Sequence, residues 1–208
     1  PTTTLSNALL RISKAPLKPQ QRLFALRIYL LPGLYHAASL EAIQVGTLKK
    51  CDLIIRSTVR RWLDLPADAP VAYFHADIKS GGLGVPSLRW TIPINRLNRL
   101  EKLGLSALAS TSKAGQYLRY EITKVKDQLT EKGVVIDNAM KSTRRFAAAL
   151  HNSVDGGALK ESRNIPQQKR WIAEGTRFLS GRDFVLTCKL RINAMPTMSR
   201  TSRGRIHD

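Results

Sequence analysis

The chain has little cysteine, few acids, few aromatic residues and no long apolar run, and each shortage removes a class of protein. Two cysteines stand in 208 residues, Cys51 and Cys188. They lie far apart in sequence, so neither a disulfide framework nor the paired ligand spacing of a zinc site is available. Both read as reduced, buried small hydrophobes. No stretch of about 18 consecutive apolar residues exists, and no charged-then-apolar segment opens the chain, which argues against a membrane partner and a secretory signal. The expectation is a soluble intracellular protein.

Catalytic signatures are scarce as well. His36, His75, His151 and His207 are scattered, none with a second ligand at helical spacing, so no metal site is expected. His75 and Asp77 are two residues apart in an irregular stretch, and acid–base chemistry needs geometry before residue type, so His75 reads as a structural hydrogen-bonding group. Ser80-Gly-Gly-Leu-Gly-Val-Pro86 lacks the Gly-Lys-Ser/Thr ending of a phosphate loop and the spacing of a dinucleotide fingerprint. It reads as a loop that orders two helices.

What is abundant is positive charge. Lys and Arg total 34 against 15 Asp and Glu, a formal net charge of +19. Such a field over a small body attracts polyanions, and nucleic acid is the commonest reason for it. The 43% hydrophobic content suffices for one substantial core or two small ones.

The periodicity is helical throughout, and the expected fold is all-α. Leu5, Leu9 and Ile12 mark a first helix that Pro16 and Pro19 end. Leu23, Leu26 and Leu30, with Phe24, Ile28 and Leu31 beside them, mark a second that reads as buried on more than one side and ends or kinks at Pro32-Gly33. Gly46-Thr47 is the expected cap of the clearest helix, in which Leu48, Cys51, Ile55, Val59 and Trp62 recur at intervals of three and four. Its opposite side holds Lys49, Lys50, Arg56, Arg60 and Arg61, offset locally by Asp52 alone. A solvated basic face and a phosphate-facing surface both fit that pattern.

A further helix is expected from about Pro93 to Leu105, with Ile94, Leu97, Leu100 and Leu103 inward and Arg96, Arg99 and Lys102 outward. The polar tract Ser110–Gly115 reads as a loop between two halves, residues 1–109 and 110–199, followed by a basic tail, 200–208. In the second half, Leu118, Ile122, Val125 and Leu129 mark a helix ending at Gly133, and Asp137 caps another that runs to about His151. Pro166 opens a helix carrying Trp171, Ile172, Phe178 and Leu179 and stopped by Gly181. Residues 186–192 alternate like a strand but are read as helix, since no partner strand is evident. Trp62, Trp90 and Trp171 read as core anchors. Pro1-Thr-Thr-Thr and the basic run to Asp208 read as cuts in a longer chain.

Leu31-Pro-Gly-Leu-Tyr-His-Ala-Ala-Ser-Leu40, residues 52–66 and Tyr73-Phe-His-Ala-Asp-Ile-Lys-Ser-Gly-Gly-Leu-Gly-Val-Pro-Ser-Leu88 together resemble the region just after the catalytic palm in reverse transcriptases of non-LTR retrotransposons. The likeness is to the site-specific type that inserts into ribosomal RNA genes and carries a restriction-like endonuclease. Lys189-Leu-Arg-Ile-Asn-Ala-Met-Pro-Thr-Met-Ser-Arg-Thr-Ser-Arg-Gly-Arg205 is similar to the segment leading into their zinc knuckle. The resemblance implies a helical thumb followed by a linker, gripping the RNA template–DNA primer duplex during target-primed reverse transcription.

It further implies palm, zinc-knuckle and endonuclease neighbours, element RNA and target DNA as partners, and a nuclear location with the nucleolus as candidate compartment. Polymerisation in such enzymes uses an Asp-Asp pair holding divalent ions. This chain contains no Asp-Asp, so it is expected to be no enzyme by itself and to hold no cofactor, the divalent metal belonging to the parent polymerase.

For the duplex contacts the candidates are Lys49, Lys50, Arg56, Arg60 and Arg61, then Arg96 and Arg99. Lys189, Arg191, Arg200, Arg203 and Arg205 form a second candidate surface toward target DNA or element RNA, against the alternative of a tail that is basic only for solubility. Two other classes stay open: a stand-alone helical RNA-binding or scaffold protein of a ribonucleoprotein, and a bundle whose charge serves an acidic protein.

Overall fold

The structure, a computed structural model, describes residues 2–41, 43–104, 112–162, 164–167, 169–195 and 197, without the side chains of His36, Ala37 and Ser112. Helices dominate, as the periodicity requires. The first is α1 (Thr2–Lys14), which buries Leu5 and Leu9. It is followed by α2 (Pro19–Ala25), a π-helical turn (Leu26–Leu30) and α3 (Leu31–Leu40). The run from Pro19 to Leu40 is therefore continuous, and Pro32 does not end it. The wide turn closes with the Leu31 N–H on the Leu26 carbonyl, so the N–H that Pro32 lacks falls where the ladder is already switching register.

This run is buried on one side only, contrary to the sequence expectation. Leu23, Leu26 and Leu31 are in the core, whereas Phe24, Ile28 and Tyr29 are exposed and Phe24 meets Tyr29 edge-on. By length and mean hydropathy (1.2) it is the one described helix apolar enough to cross a membrane, although Arg22 and Arg27 interrupt it and its inner face belongs to the core.

Next comes α4 (Val45–Trp62), whose buried stripe is Leu48, Cys51, Ile55, Val59 and Trp62 as the spacing predicts. It begins two residues earlier than Thr47, with Gln44 at the cap position and no side-chain cap. A short α5 (Val71–His75) leads through a 3₁₀ turn (Ile78–Ser80) into the glycine loop. That loop folds back on α5: Leu83 and Val85 donate to the carbonyls of Tyr73 and Phe74 at 2.8 and 2.9 Å. A Cβ on Gly82 would stand 2.3 Å from the Ala76 carbonyl oxygen, so only glycine fits there.

The long α6 (Leu88–Gly104) starts five residues before the expected Pro93. The reason is a clamp at its first turn, described below, that outweighs the single ladder bond Pro93 removes. In α7 (Ser112–Leu129) residues 112–115 are helical rather than loop, while 105–111 lie outside the described residues. This helix stops at Leu129, short of Gly133, because a small hairpin follows, β1 (Thr130–Glu131) against β2 (Val134–Val135). Its two-residue turn has Lys132 and Gly133 both at positive φ, 52° and 77°, the primed geometry that matches strand twist.

Asn138, not Asp137, caps α8 (Ala139–His151), accepting from the Lys141 N–H at 2.8 Å, while Asp137 pairs with the Lys141 ammonium at 2.9 Å. The single helix expected after Pro166 is two short ones, α10 (Arg170–Ala173) and α11 (Gly175–Phe178), preceded by α9 (Leu159–Ser162). Gly181 starts rather than stops a helix: Ser180 accepts from the Asp183 N–H and opens α12 (Gly181–Arg191). Residues 186–191 are thus helical, and the alternation there reflects half-burial.

One hydrophobic cluster runs from Leu5 and Leu26 through Ile55, Trp90 and Leu97 to Val125, Leu150 and Phe184. The helices on either side of residues 105–111 pack directly, with α7 on α6 and α8 on α5. Trp62 and Trp90 are buried and Trp171 is partly buried against Phe184, so the three tryptophans are anchors. Cys51 and Cys188 are buried free thiols, and burial pushes Cys188 up to about 12.

Candidate nucleic-acid interface

Asp52 does not lie on the basic face of α4. It is buried, and it reaches across 35 residues of sequence to α6, accepting from Ser87 Oγ at 2.6 Å, the Leu88 N–H at 2.7 Å and the Arg89 N–H at 3.2 Å. A carboxylate here satisfies orphan donors of the first turn and meets the positive end of the helix dipole. This clamp fixes α4 against α6 and leaves the carboxylate little capacity to neutralise anything else.

The basic residues of α4 divide into two strips. At 100° per residue, Lys49, Arg56 and Arg60 share one side with Leu53, and Lys50 and Arg61 share the adjacent one with Ser57. Lys50 and Arg61 are exposed. Arg60 lies over the Phe74 ring, 5.4 Å from its centroid. Arg56 is half-buried, and its Nη1 is 3.4 Å from His75 Nε2. His75 donates from Nδ1 to the Val85 carbonyl at 2.9 Å, which leaves the Nε2 lone pair for the guanidinium and requires a neutral imidazole. Desolvation by burial lowers the His75 pKa and favours that state; the same cause lowers Arg56 without discharging it.

Lys49 and Arg56 open onto a cavity of 610 Å³ whose other walls carry Arg89 from the start of α6, Lys132 from the hairpin turn and Arg145 from α8. Five cations from four elements therefore converge on one basin, and among the described residues the only carboxylate lining it is the clamped Asp52. Glu131 is the nearest counter-charge. It pairs with Arg145 and, at 3.5 Å, with Arg89. The two guanidiniums also lie over the Trp90 ring, at 4.4 and 5.2 Å, so cation–π contact holds them in place. Lys49, Arg56 and Lys132 have no carboxylate partner among the described residues. The arrangement suits phosphate oxygens, and the His75, Ser87 and Asp52 side chains that also line it are engaged in hydrogen bonds within the fold.

The remaining candidates stand elsewhere. Arg96 is taken by Glu121 at 2.6 Å, a pair that joins α6 to α7, and Arg99 is exposed on the following turn. Lys189 pairs with Asp64, and Arg191 is half-buried with its guanidinium 5.1 Å from the Trp171 ring. These two brace α12 and do not join the basin. Arg200, Arg203 and Arg205 lie outside the described residues. Sequence reasoning missed Arg89, Lys132 and Arg145, which only the packing brings together; Ser87 before a helical stripe was the one local signal of where Asp52 would go. Among the described residues no group of three His, Cys, Asp or Glu could hold a metal ion.

The fold and the basin define an all-α, strongly basic body, and the comparisons narrow the class. The chain is homologous over nearly its whole length to one segment of the Pol polyproteins of R2-type non-LTR retrotransposons. It is 44% identical over 205 residues to the "Retrovirus-related Pol polyprotein from type-2 retrotransposable element R2DM" of Drosophila melanogaster, covering 99% of this chain and 19% of that protein. The "Retrovirus-related Pol polyprotein from type-1 retrotransposable element R2" of Nasonia vitripennis is 36% identical, over 97% of this chain and 19% of its own length. Its counterpart in Bradysia coprophila is 32% identical, over 97% and 24%. The chain thus spans about a fifth of the length of these curated relatives. No family model matches it.

Proposed function

We propose that this chain is the thumb and linker of an R2-type reverse transcriptase, and that it grips the RNA template–DNA primer duplex during target-primed reverse transcription. The observation that carries the reading is the basin of Lys49, Arg56, Arg89, Lys132 and Arg145 around a carboxylate already committed to a helix terminus. A duplex grip that must slide along any sequence has to hold sugar and phosphate rather than base edges, and a hybrid with A-like grooves is recognised through shape and backbone.

In this reading the chain supplies position and electrostatics and no catalytic group. The divalent metal and its aspartate pair belong to the palm of the parent enzyme, with zinc knuckle and endonuclease as further neighbours. The compartment is the nucleus and no membrane is involved. Lys50 and Arg61, both exposed, extend the basic surface along the adjacent strip of α4.

Fluorescence anisotropy with RNA–DNA hybrids of graded length up to about 15 base pairs, over a salt series, tests the proposal. Tight, steeply salt-dependent binding that fails below a minimum duplex length is the expected result. Affinity for hybrid that is weak at every length would overturn it, and affinity indifferent to duplex length would point to an acidic protein partner instead.

A further inference from the structure

The outward side of α7 carries a pattern that the duplex grip does not use. Lys113, Tyr117, Tyr120 and Lys124 are spaced i, i+4, i+7 and i+11, which at 100° per residue confines them to a strip about 60° wide and about 16 Å long. Tyr117 is 67% and Tyr120 63% exposed, and the four residues all stand at the surface. Tyrosines exposed to this degree in adjacent turns of one helix face are not core residues left over. The inner face of the same helix is occupied by Glu121, Val125 and Leu129, all buried.

The strip is cationic at both ends. Lys124 Nζ lies 5.9 Å from the Tyr120 ring centroid; its contact with Glu121 is at 4.0 Å, and that carboxylate is already held by Arg96 at 2.6 Å. Asp127, three residues beyond Lys124, is the nearest exposed acid on this helix. Two aromatic rings in line with a lysine at each end match an unpaired strand, in which bases offer π-faces and the backbone offers phosphates. They do not match a duplex, whose bases are stacked on one another and closed to the rings.

We propose that Lys113, Tyr117, Tyr120 and Lys124 form a stacking platform for unpaired RNA. Each ring takes one base, the lysines take flanking phosphates, and the phenolic hydroxyls are available to the 2′-hydroxyl that distinguishes RNA from DNA. The platform extends the nucleic-acid reading given above but uses a surface separate from the basin, so the two stand or fall independently.

The test is anisotropy of the 208-residue chain with a fluorescein-labelled oligouridine of about 12 nucleotides, its deoxy counterpart and the hybrid duplex. Tyr117→Ala with Tyr120→Ala is expected to weaken oligouridine binding roughly fivefold or more for each ring removed, leaving hybrid binding within twofold and the circular dichroism spectrum unchanged. Tyr117→Phe with Tyr120→Phe keeps the stacking and loses only the preference for RNA over DNA. An alanine pair that binds oligouridine as the wild type does would overturn the platform, as would equal loss of hybrid and single-strand binding, and equal wild-type affinity for the ribo- and deoxy-oligomers would overturn the assignment to RNA. Failure of the hybrid arm alone would count against the duplex grip and not against the platform.

Discussion

Ser87 Oγ donates to Asp52 Oδ2 at 2.6 Å, joining the cap residue of α6 to a buried carboxylate in the middle of α4. With the Leu88 and Arg89 N–H groups on the same carboxylate, this contact sets the angle at which Arg89 enters the basin beside Arg56. Asp52→Ala leaves the donors at the α6 terminus buried and unpaired, and is expected to cost about 2–4 kcal/mol. Asp52→Asn, which keeps one acceptor oxygen, should cost less. Urea unfolding followed by circular dichroism separates the two; equal losses would mean that the carboxylate charge, not its geometry, matters.

His75 makes stability depend on pH in a defined direction. Its folded pKa lies below the ordinary value of 6.5, chiefly through burial, with Asp52 opposing and Arg56 reinforcing that shift. The unfolded chain therefore takes up a proton before the folded one, and the contribution is full above about pH 6.5 and lost as the pH falls. Chemical denaturation from pH 7.5 to 5 should show a decline that His75→Gln reduces. A variant whose slope equals that of the wild type would remove His75 from the account.

Lys49 and Lys132 line the basin from different elements, and both are exposed. Replacing both by alanine is expected to weaken hybrid binding and lower the slope of log affinity against log salt by about two, one for each lost phosphate contact, with Tm unchanged. Reversing charge at Arg56 is a poorer test than its place on the basic face suggests. Its guanidinium is half-buried against His75, so a carboxylate there would destabilise the clamp as well as the binding.

Gly82 is required by contact rather than by torsion. Its φ is not in the left-handed region, but a Cβ would meet the Ala76 carbonyl oxygen at 2.3 Å and the Ala76 carbonyl carbon at 2.7 Å. Gly82→Ala should lower stability by about 2 kcal/mol or more, because backbone must move on both sides. Gly46→Ala, at a site with open space around it, is the control and should be neutral or better.

Much of this was legible in the residues. Strict spacing of three and four in Leu48 to Trp62 gave α4 and its core face. What the sequence could not show was decided by contacts between distant segments. Asp52 looks like an offset to nearby lysines until Ser87 is folded against it. Arg96 looks free until Glu121 arrives from α7. Lys132 looks like part of a helix end until the Lys-Gly turn reverses the chain. Tyr117 and Tyr120 are a different case, because the lysine–tyrosine spacing that places them on one strip of α7 is local and readable from the sequence alone.

The central claim, that phosphates enter the basin, is tested most directly by lysine acetylation footprinting with mass spectrometry, with and without bound hybrid. Lys49 and Lys132 should be protected by the duplex, while Lys160, exposed on α9, stays as reactive as in the free protein. Protection of Lys160 with Lys49 and Lys132 still fully reactive would contradict the account and move the duplex to another face.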